Sequence, residues 1–246
     1  SISHSVFDAV DGAQTTANIQ CATATVTGNT FTKAFVRLEG CDADLSDNNI
    51  GGGLELFRSP DLAKVDLAGP DANTFTGTPA HRTLLLTGSS TVKTATTWQV
   101  DAPSMAALII LQDAYGDSPR IDGRTALAAG TIVKARSGAR LEVSDGGTLT
   151  AAGTDQNPVV FTDWRDDTAG GDTNGDGNAS SPVRTGSPLV RLEQSSGTGQ
   201  VGQQVSVDWA VFRWQDPFGS NSSTRARVSI SHSVFDAVDG AQTTAN

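Results

Sequence analysis

Hydrophobic and polar residues alternate along much of the chain, and the alternating stretches are separated by clusters of Gly, Asn, Asp and Pro. The clearest stretch contains Val205, Val207, Trp209 and Val211, which places Trp209 among packed side chains. Alternation with a period of two predicts β-strands, and helical signals are nearly absent. The most apolar stretch, residues 104–113, has a continuous apolar run instead of a helical stripe, so it predicts a buried strand.

A short pattern of Val, Ser, apolar, polar and then Val-Phe recurs along the chain. It aligns residues 205–212 with residues 228–235, an offset of 23 residues. The slot of the last apolar residue is filled in turn by Phe212, Phe235, Phe7, Phe31, Ile50 and Phe75. Two positions before the last three stand Asn29, Asn48 and Asn73. Because Asn tolerates left-handed backbone and its amide can bond equivalent residues in neighbouring coils, the pattern predicts a stacking ladder.

The first 18 and the last 18 residues are identical, which adds a second and much longer period. Residues 1–18 and residues 229–246 both read SISHSVFDAVDGAQTTAN, at an offset of 228 residues. Identity at every position is typical of recent tandem duplication, and a cloning scar is the alternative. The sequence therefore predicts one repeat unit in residues 1–228 and the start of the next identical repeat in residues 229–246.

Short strands that recur about every two dozen residues describe a β-solenoid, in which each coil adds a strand to each of several parallel sheets. Residues 130–163, GTIVKARSGARLEVSDGGTLTAAGTDQNPVVFTD, resemble the coils of right-handed parallel β-helix proteins of the pectate-lyase-like superfamily, especially the tandem cell-surface forms of bacteria and archaea. Residues 164–182 resemble an acidic loop that often interrupts such coils. The resemblance implies an all-β, right-handed parallel β-helix. About ten coils per repeat would advance about 48 Å along the axis.

Charge restricts the partners of the chain. It has 17 Lys and Arg against 27 Asp and Glu, a net charge of −10. Residues 229–246 contribute Asp236 and Asp239 and no Lys or Arg, so one repeat carries −8. Nucleic acid and anionic lipid are therefore not expected as partners, and the longest apolar run, residues 105–111, is far shorter than the roughly 20 residues of a membrane span. The expected partners are identical repeats stacked end to end, with surface polysaccharide as a further candidate.

The two cysteines, Cys21 and Cys41, are 20 residues apart, which is close to one coil. Cys21 precedes Phe31 by 10 residues and Cys41 precedes Ile50 by 9, so the two fall at nearly the same place on successive coils. Adjacent strands bring Cα atoms within the distance that a disulfide requires. We therefore predict a disulfide, with a pair of reduced core thiols as the alternative. A disulfide favours an extracellular or cell-surface location.

Oxygen-bearing side chains alternate within the acidic loop at Asp172, Asn174 and Asp176, followed by Gly177 and Asn178. This spacing is typical of the first half of a calcium loop, because alternation points the oxygens to one centre and Gly permits a sharp turn. The sequence therefore predicts that Ca²⁺ binds in this loop. A solvated acidic loop built from turn residues is the alternative.

The twelfth position of an EF-hand loop would hold a bidentate Glu, and Val183 stands there instead. The predicted calcium shell would have to be completed by the preceding aspartates, Asp163, Asp166 or Asp167. Asn178 also begins a glycosylation pattern, as does Asn221.

Two other functions deserve comparison with a structural one. Asp42, Asp44 and Asp47, with Arg58 nearby, are candidates for the carboxylates and base of a polysaccharide lyase or glycosidase. Cleavage of an anionic polymer would favour a cationic groove, so an acidic repeat argues against such an enzyme. A row of exposed tryptophans would indicate a sugar-binding adhesive module. The candidates for that row are Trp98, Trp164, Trp209 and Trp214.

The sequence thus favours a non-enzymatic structural repeat of an extracellular filament, sheath fibre or adhesin stalk. Backbone hydrogen bonds would run along the fibre axis, and the disulfide and calcium loop would act as local staples. Because the end coils of a solenoid expose unpaired backbone groups, continuation into an identical repeat would cover them.

Overall fold

The computed structural model describes residues 1–8, 15–184, 186–193, 202–220 and 225–236. Within these ranges the chain forms 26 strands, numbered β1 to β26 in chain order, and two short 3-10 helices, Leu62–Lys64 and Pro79–His81. All pairings between these strands are parallel. The prediction of an almost purely β, parallel architecture is confirmed. None of the helices in this part of the chain is long and apolar enough to cross a membrane.

The strands form five sheets. Sheet A contains β1 (Ile2–Ser3), β4 (Thr23–Thr27) and β7 (Asp42–Ser46). Sheet B contains β2 (Val6–Asp8), β5 (Thr30–Thr32), β8 (Asn49–Ile50) and β10 (Thr74–Phe75). Sheet C contains β3 (Thr15–Gln20), β6 (Ala34–Glu39), β9 (Leu54–Phe57), β11 (Thr83–Thr87), β14 (Ala107–Leu111), β17 (Ile132–Ala135), β20 (Val159–Asp163), β23 (Ala210–Arg213) and β26 (Val234–Asp236). Sheet D contains β13 (Thr97–Val100), β16 (Arg124–Leu127), β19 (Thr148–Ala152), β22 (Gln204–Asp208) and β25 (Arg227–Ser231). Sheet E contains β12 (Thr91–Val92), β15 (Arg120–Ile121), β18 (Leu141–Val143), β21 (Pro188–Leu192) and β24 (Asp216–Ser220).

The chain visits these sheets in a regular order, so it winds as a solenoid. From β1 to β9 the order is A, B, C, and from β11 onward it is C, E, D. Sheet C has nine strands among the described residues, so its first strand β3 and its last strand β26 are eight strand spacings apart. This number is lower than the ten coils predicted from a 23-residue period. Long connections reduce it, notably residues 164–187 between β20 and β21.

Inward-facing side chains stack in columns that run across the strands. In sheet C one column joins seven buried side chains in register: Val36, Leu54, Leu84, Leu108, Val133, Phe161 and Phe212. The rings of Phe161 and Phe212 lie parallel, 4.7 Å apart between centroids. The apolar stretch that contains β14 is a buried strand, as its composition predicts. Such columns fill the interior of the coil and exclude water from it.

The outline of the coil changes in the middle of the chain. Val65 bridges back to Leu45 of sheet A, and Leu67 bridges forward to Val100 of sheet D, so these two sheets follow one another. Sheet B ends at β10, and sheet E begins at β12. The first part of the solenoid therefore has the faces A, B and C, whereas the later part has C, E and D.

Candidate functional site

The two copies of the repeated segment have the same local structure at opposite ends of the solenoid. In the first copy, β1 and β2 flank His4, which has a left-handed backbone with φ +50°. In the second copy, β25 and β26 flank His232, which has φ +46°. The remaining parts of the duplication, residues 9–14 and 237–246, lie outside the described residues. The sequence therefore encodes one strand, turn and strand unit that folds alike in both places.

The two copies differ in the side on which they are paired. The first copy pairs with the following coil, through Ile2 with Val26 and Phe7 with Phe31. The second copy pairs with the preceding coil: Val228, Ile230 and Phe235 lie opposite Val205, Val207 and Phe212. Those three residues of the second copy are 44%, 37% and 37% exposed, whereas their partners are at most 2% exposed. An apolar edge thus remains open on the outer side of the second copy.

The ladder residues Phe7, Phe31, Ile50 and Phe75 lie in register in sheet B. The rings of Phe7 and Phe31 are stacked with centroids 4.8 Å apart. The structure places Phe212 and Phe235, assigned to the same ladder, in sheet C instead. The reason is that later coils turn from sheet D directly into sheet C and have no sheet B strand.

The three asparagines of the ladder form a buried chain of hydrogen bonds. The Asn29 side chain donates from Nδ2 to Oδ1 of Asn48 over 3.0 Å, and Asn48 Nδ2 donates to Oδ1 of Asn73 over 2.8 Å. The backbone N–H of Asn29 also donates to Asn48 Oδ1, and Ser5 N–H donates to Asn29 Oδ1. Asn73 Nδ2 donates to the carbonyl of Leu45. Each coil is thereby tied to the next through a polar group that has no access to water.

The asparagines themselves do not have the left-handed backbone that the sequence analysis assigned to them. The residues directly before two of them do, namely Gly28 with φ +66° and Asp47 with φ +55°. Trp209, predicted to alternate within a strand, is also such a turn residue, with φ +49° between β22 and β23. The turn therefore falls one position earlier, which leaves the asparagine side chain pointing into the coil.

The turn histidine lies in a stack of rings and turn residues. The ring of His232 stacks on Trp209, with centroids 4.7 Å apart, and its Nδ1 lies 2.8 Å from Oδ1 of Asp208. Hydrogen bonds from His232 and Ser231 lower the pKa of Asp208 below its ordinary value. In the first copy, the ring of His4 lies 3.2 Å from where a Cβ of Gly28 would stand. A glycine at that left-handed position thus leaves room for the histidine.

The predicted disulfide is present. Cys21 and Cys41 are joined, with their Cα atoms 5.0 Å apart. They follow β3 and β6, which are adjacent strands of sheet C. The bond therefore links two successive coils at the corner where the chain leaves sheet C.

Two of the predicted calcium ligands are already engaged in the protein. Asp163 is fully buried, and its two oxygens accept hydrogen bonds from the guanidinium of Arg165 at 2.8 and 2.9 Å. Asp166 accepts hydrogen bonds from Thr162 Oγ1 and from the N–H and Oγ1 of Thr168. Their role is to fold the start of the acidic loop, because every one of these bonds stays within it.

The remaining aspartates come together. One oxygen from each of Asp167, Asp172 and Asp176 lies within 4.8 Å of the others. Oδ1 of Asp167 and Oδ1 of Asn174 are buried atoms without a hydrogen-bond partner. Burial, then repulsion from Asp172, raises the pKa of Asp167. Asn178 is exposed and is not among the residues of this cluster.

A buried lysine, which the sequence analysis did not single out, anchors the acidic loop to sheet C. The ammonium of Lys134 donates to the carbonyls of Asp166 and Gly171 and to Thr173 Oγ1, over 2.9, 3.1 and 2.7 Å. Lys134 is fully buried, and burial lowers its pKa to about 8 against the opposing effect of the nearby aspartates. An isolated Lys in an alternating strand carries no sign in the sequence that distant loop carbonyls will surround it.

The candidate enzyme residues are occupied by other contacts. Asp42 pairs with Lys64 at 2.9 Å and with Lys93 at 3.5 Å, and the hydrogen bond from Lys64 lowers the pKa of Asp42. Arg58 pairs with Asp113 at 2.7 Å. The other two candidates, Asp44 on β7 and Asp47 in the following turn, are exposed.

The tryptophans occupy different surroundings and do not form one row. Trp98 is buried and donates to the carbonyl of Val65, and Trp209 stacks on His232. Trp164 lines a groove of about 450 Å³ on the outer face of sheet C, with the guanidinium of Arg136 5.1 Å from its ring centroid. Other residues of this groove are Phe35, His81, Leu85, Ile109 and Leu111.

Comparisons of the chain with protein-family models, curated proteins and solved structures gave no match. Function must therefore be argued from the two copies of the repeated segment, the acidic loop and the groove. The possible glycosylation site at Asn178 lies on the exposed part of the acidic loop, and Asn221 lies outside the described residues.

Proposed function

We propose that this chain is a structural repeat of an extracellular β-solenoid filament, sheath fibre or adhesin stalk. In this proposal the solenoid is a right-handed parallel β-helix, and identical repeats continue it end to end. The repeat works mechanically, because a pull along the axis loads hydrogen bonds in several parallel sheets at once. The disulfide between successive coils supports a location in an oxidising environment.

The proposal depends on one observation. The segment that begins the solenoid is identical to the segment that ends its described part, folds in the same way, and is paired on the opposite side. One copy therefore shows how the segment contacts the coil before it, and the other shows how it contacts the coil after it. Both sets of contacts are satisfied together only when a second repeat follows the first.

Electron microscopy of a chain of four repeats would test this proposal. We expect an unbranched rod that lengthens by about 38 Å per added repeat, because the two copies are eight strand spacings of about 4.8 Å apart. Chains of one and two repeats serve as length controls. Compact particles separated by flexible linkers would contradict the proposal.

We also propose that Ca²⁺ binds in the acidic loop. Asp167, Asp172, Asp176 and the unpartnered Oδ1 of Asn174 form a set of hard oxygen ligands that fits this ion. Bound calcium would offset the repulsion among the three carboxylates and stiffen a loop that otherwise depends on Lys134. The site would then hold the loop against sheet C in every repeat.

The groove at Trp164 favours a second candidate function, which is binding of a surface polysaccharide. An indole face beside apolar residues and the polar groups of Arg136 and His81 is typical of a site that accepts a sugar ring. Sedimentation with cell-wall polysaccharides would test it. Retention that Trp164→Ala abolishes, and that Trp209→Ala preserves, would support an adhesive module. Equal retention of both variants would contradict it.

A further inference from the structure

The two copies of the repeated segment lie in different sheets, and this difference determines how the sheets continue between repeats. The first copy supplies β1 to sheet A and β2 to sheet B. The second copy supplies β25 to sheet D and β26 to sheet C. If the repeats are continuous, as the proposed function requires, one segment must belong to both sets of sheets at once.

We infer that the sheets shift by one face at every junction between repeats. Sheet D of one repeat continues as sheet A of the next, because β25 and β1 are the same segment. Sheet C continues as sheet B, because β26 and β2 are the same segment. The strand after β2 is β3 in sheet C, whereas the strand that follows each earlier sheet C strand of the later coils lies in sheet E. Sheet E of one repeat must therefore continue as sheet C of the next.

The side chains on the two sides of the shared segment agree with this continuation. Phe235 stacks on Phe212 with centroids 5.3 Å apart, and its copy Phe7 stacks on Phe31. The shared ring would thus belong to one unbroken aromatic column. A second apolar column would pass from Val207 through Ile230, the copy of Ile2, to Val26.

The hydrogen bonds at the turn are also in the same sense on both sides. The N–H of Ala210 donates to Oγ of Ser233, and the N–H of its copy Ser5 donates to Oδ1 of Asn29. The turn histidine would be enclosed in the same way, with Trp209 on one side and Gly28 on the other. Each of these contacts follows from the shared segment and needs no adjustment of its conformation.

A single sheet would therefore extend through three repeats. It would begin as the five strands of sheet E, continue as the first eight strands of sheet C and end as the four strands of sheet B. Sheets would begin and end within a repeat, between β10 and β12, and no sheet would end at a junction. The surface that meets a second copy is thus the whole end coil, paired along all three faces.

Cross-linking in a chain of two repeats would test the shift. Val211 lies opposite Val234, and the copy Val6 lies opposite Thr30, so Val211 of the first repeat and Thr30 of the second would be two strands apart, about 10 Å. A bismaleimide of that span should link Val211→Cys in the first repeat to Thr30→Cys in the second. The comparison pair is Val211→Cys with Asn18→Cys of the second repeat, which would be close only if sheet C continued as sheet C.

The two pairs separate this inference from the proposed function. At least a several-fold preference for the pair with Thr30 supports the shift. A preference for the pair with Asn18 overturns the shift but leaves a continuous filament. Linkage of neither pair overturns both. An electron-microscopy map of an unmodified chain of three repeats gives the same three outcomes, through the number of strands in its longest sheet, without relying on the variants.

Discussion

The side-chain amide of Asn48 donates a 2.8 Å hydrogen bond to Oδ1 of Asn73, which lies on the next coil of sheet B. Asn48 also donates to the carbonyl of Val26 over 2.8 Å and accepts two hydrogen bonds from Asn29. Asn48 is 2% exposed, so water cannot replace these partners. A single amide therefore joins three successive coils in the interior of the solenoid.

Replacement of this amide should be costly. We expect Asn48→Ala to lower the free energy of unfolding by roughly 2–4 kcal/mol, because it leaves several buried groups without partners. Urea denaturation followed by circular dichroism would measure it. The matched control is Asn49→Ala, because the adjacent Asn49 is exposed and its side chain accepts from Thr76 at the surface. Equal effects of the two variants would show that the buried chain of amides is not what stabilises sheet B.

Reduction of the disulfide should destabilise the coils that it joins. The bond between Cys21 and Cys41 closes a loop with a sequence separation of 20 residues, for which the loss of unfolded-state entropy is worth about 3 kcal/mol. We expect a phosphine reductant to lower the urea midpoint of the natural chain. The variant with Cys21→Ser and Cys41→Ser should have a low midpoint that the reductant leaves unchanged. Unchanged stability of the natural chain after complete reduction would contradict this prediction.

Lys134 should make stability rise at alkaline pH. Its pKa is about 8 in the fold, below the ordinary value of 10.5. Between these two pH values the unfolded chain holds more protons than the folded chain, so raising the pH favours folding. Below pH 8 both states are protonated and this gain is absent. The difference in unfolding free energy between pH 8 and pH 10.5, measured in the presence of a chelator, should therefore include a favourable contribution of up to roughly 3 kcal/mol.

Two variants isolate the contribution of Lys134 from that of other alkaline groups. Lys134→Met should remove the gain between pH 8 and pH 10.5, because no ammonium then remains buried. Lys33→Met, at an exposed residue, should retain it. The same pH dependence in Lys134→Met and in the natural chain would show that the buried ammonium is not responsible.

The sequence predicts the parts of this fold that depend on local pattern. Alternation indicates the strands, the spacing of Cys21 and Cys41 indicates their pairing, and the phase of Asn29, Asn48 and Asn73 indicates their common position. These features are local because parallel coils repeat the same inward and outward phase. The exact turn residue is harder to predict, since Gly28 and Asp47 are as suited to a left-handed backbone as the asparagines that follow them.

The sheet to which a strand belongs cannot be predicted from local pattern at all. Phe7 and Phe235 stand in identical surroundings of sequence, yet one lies in sheet B and the other in sheet C. Their assignment depends on how many faces the neighbouring coils have, which is set by distant connections. The acidic loop shows the same limit. Nothing in its spacing distinguishes Asp163, which pairs with Arg165, from Asp167, whose Oδ1 remains without a hydrogen-bond partner.

Calcium should raise the thermal stability of the chain through this loop. Ion bound among Asp167, Asp172 and Asp176 stabilises the folded state by about 2.7 kcal/mol when the free ion is at 100 times its dissociation constant. For a chain of this size that corresponds to a rise of several degrees in Tm. Differential scanning calorimetry with millimolar calcium would measure it, with sodium chloride of equal ionic strength as the reference. Asp172→Asn should abolish the rise, and Asp101→Asn, at an exposed residue outside the loop, should retain it. An unchanged Tm in millimolar calcium, or an equal rise in both variants, would contradict a site in the acidic loop and leave Lys134 as its main anchor.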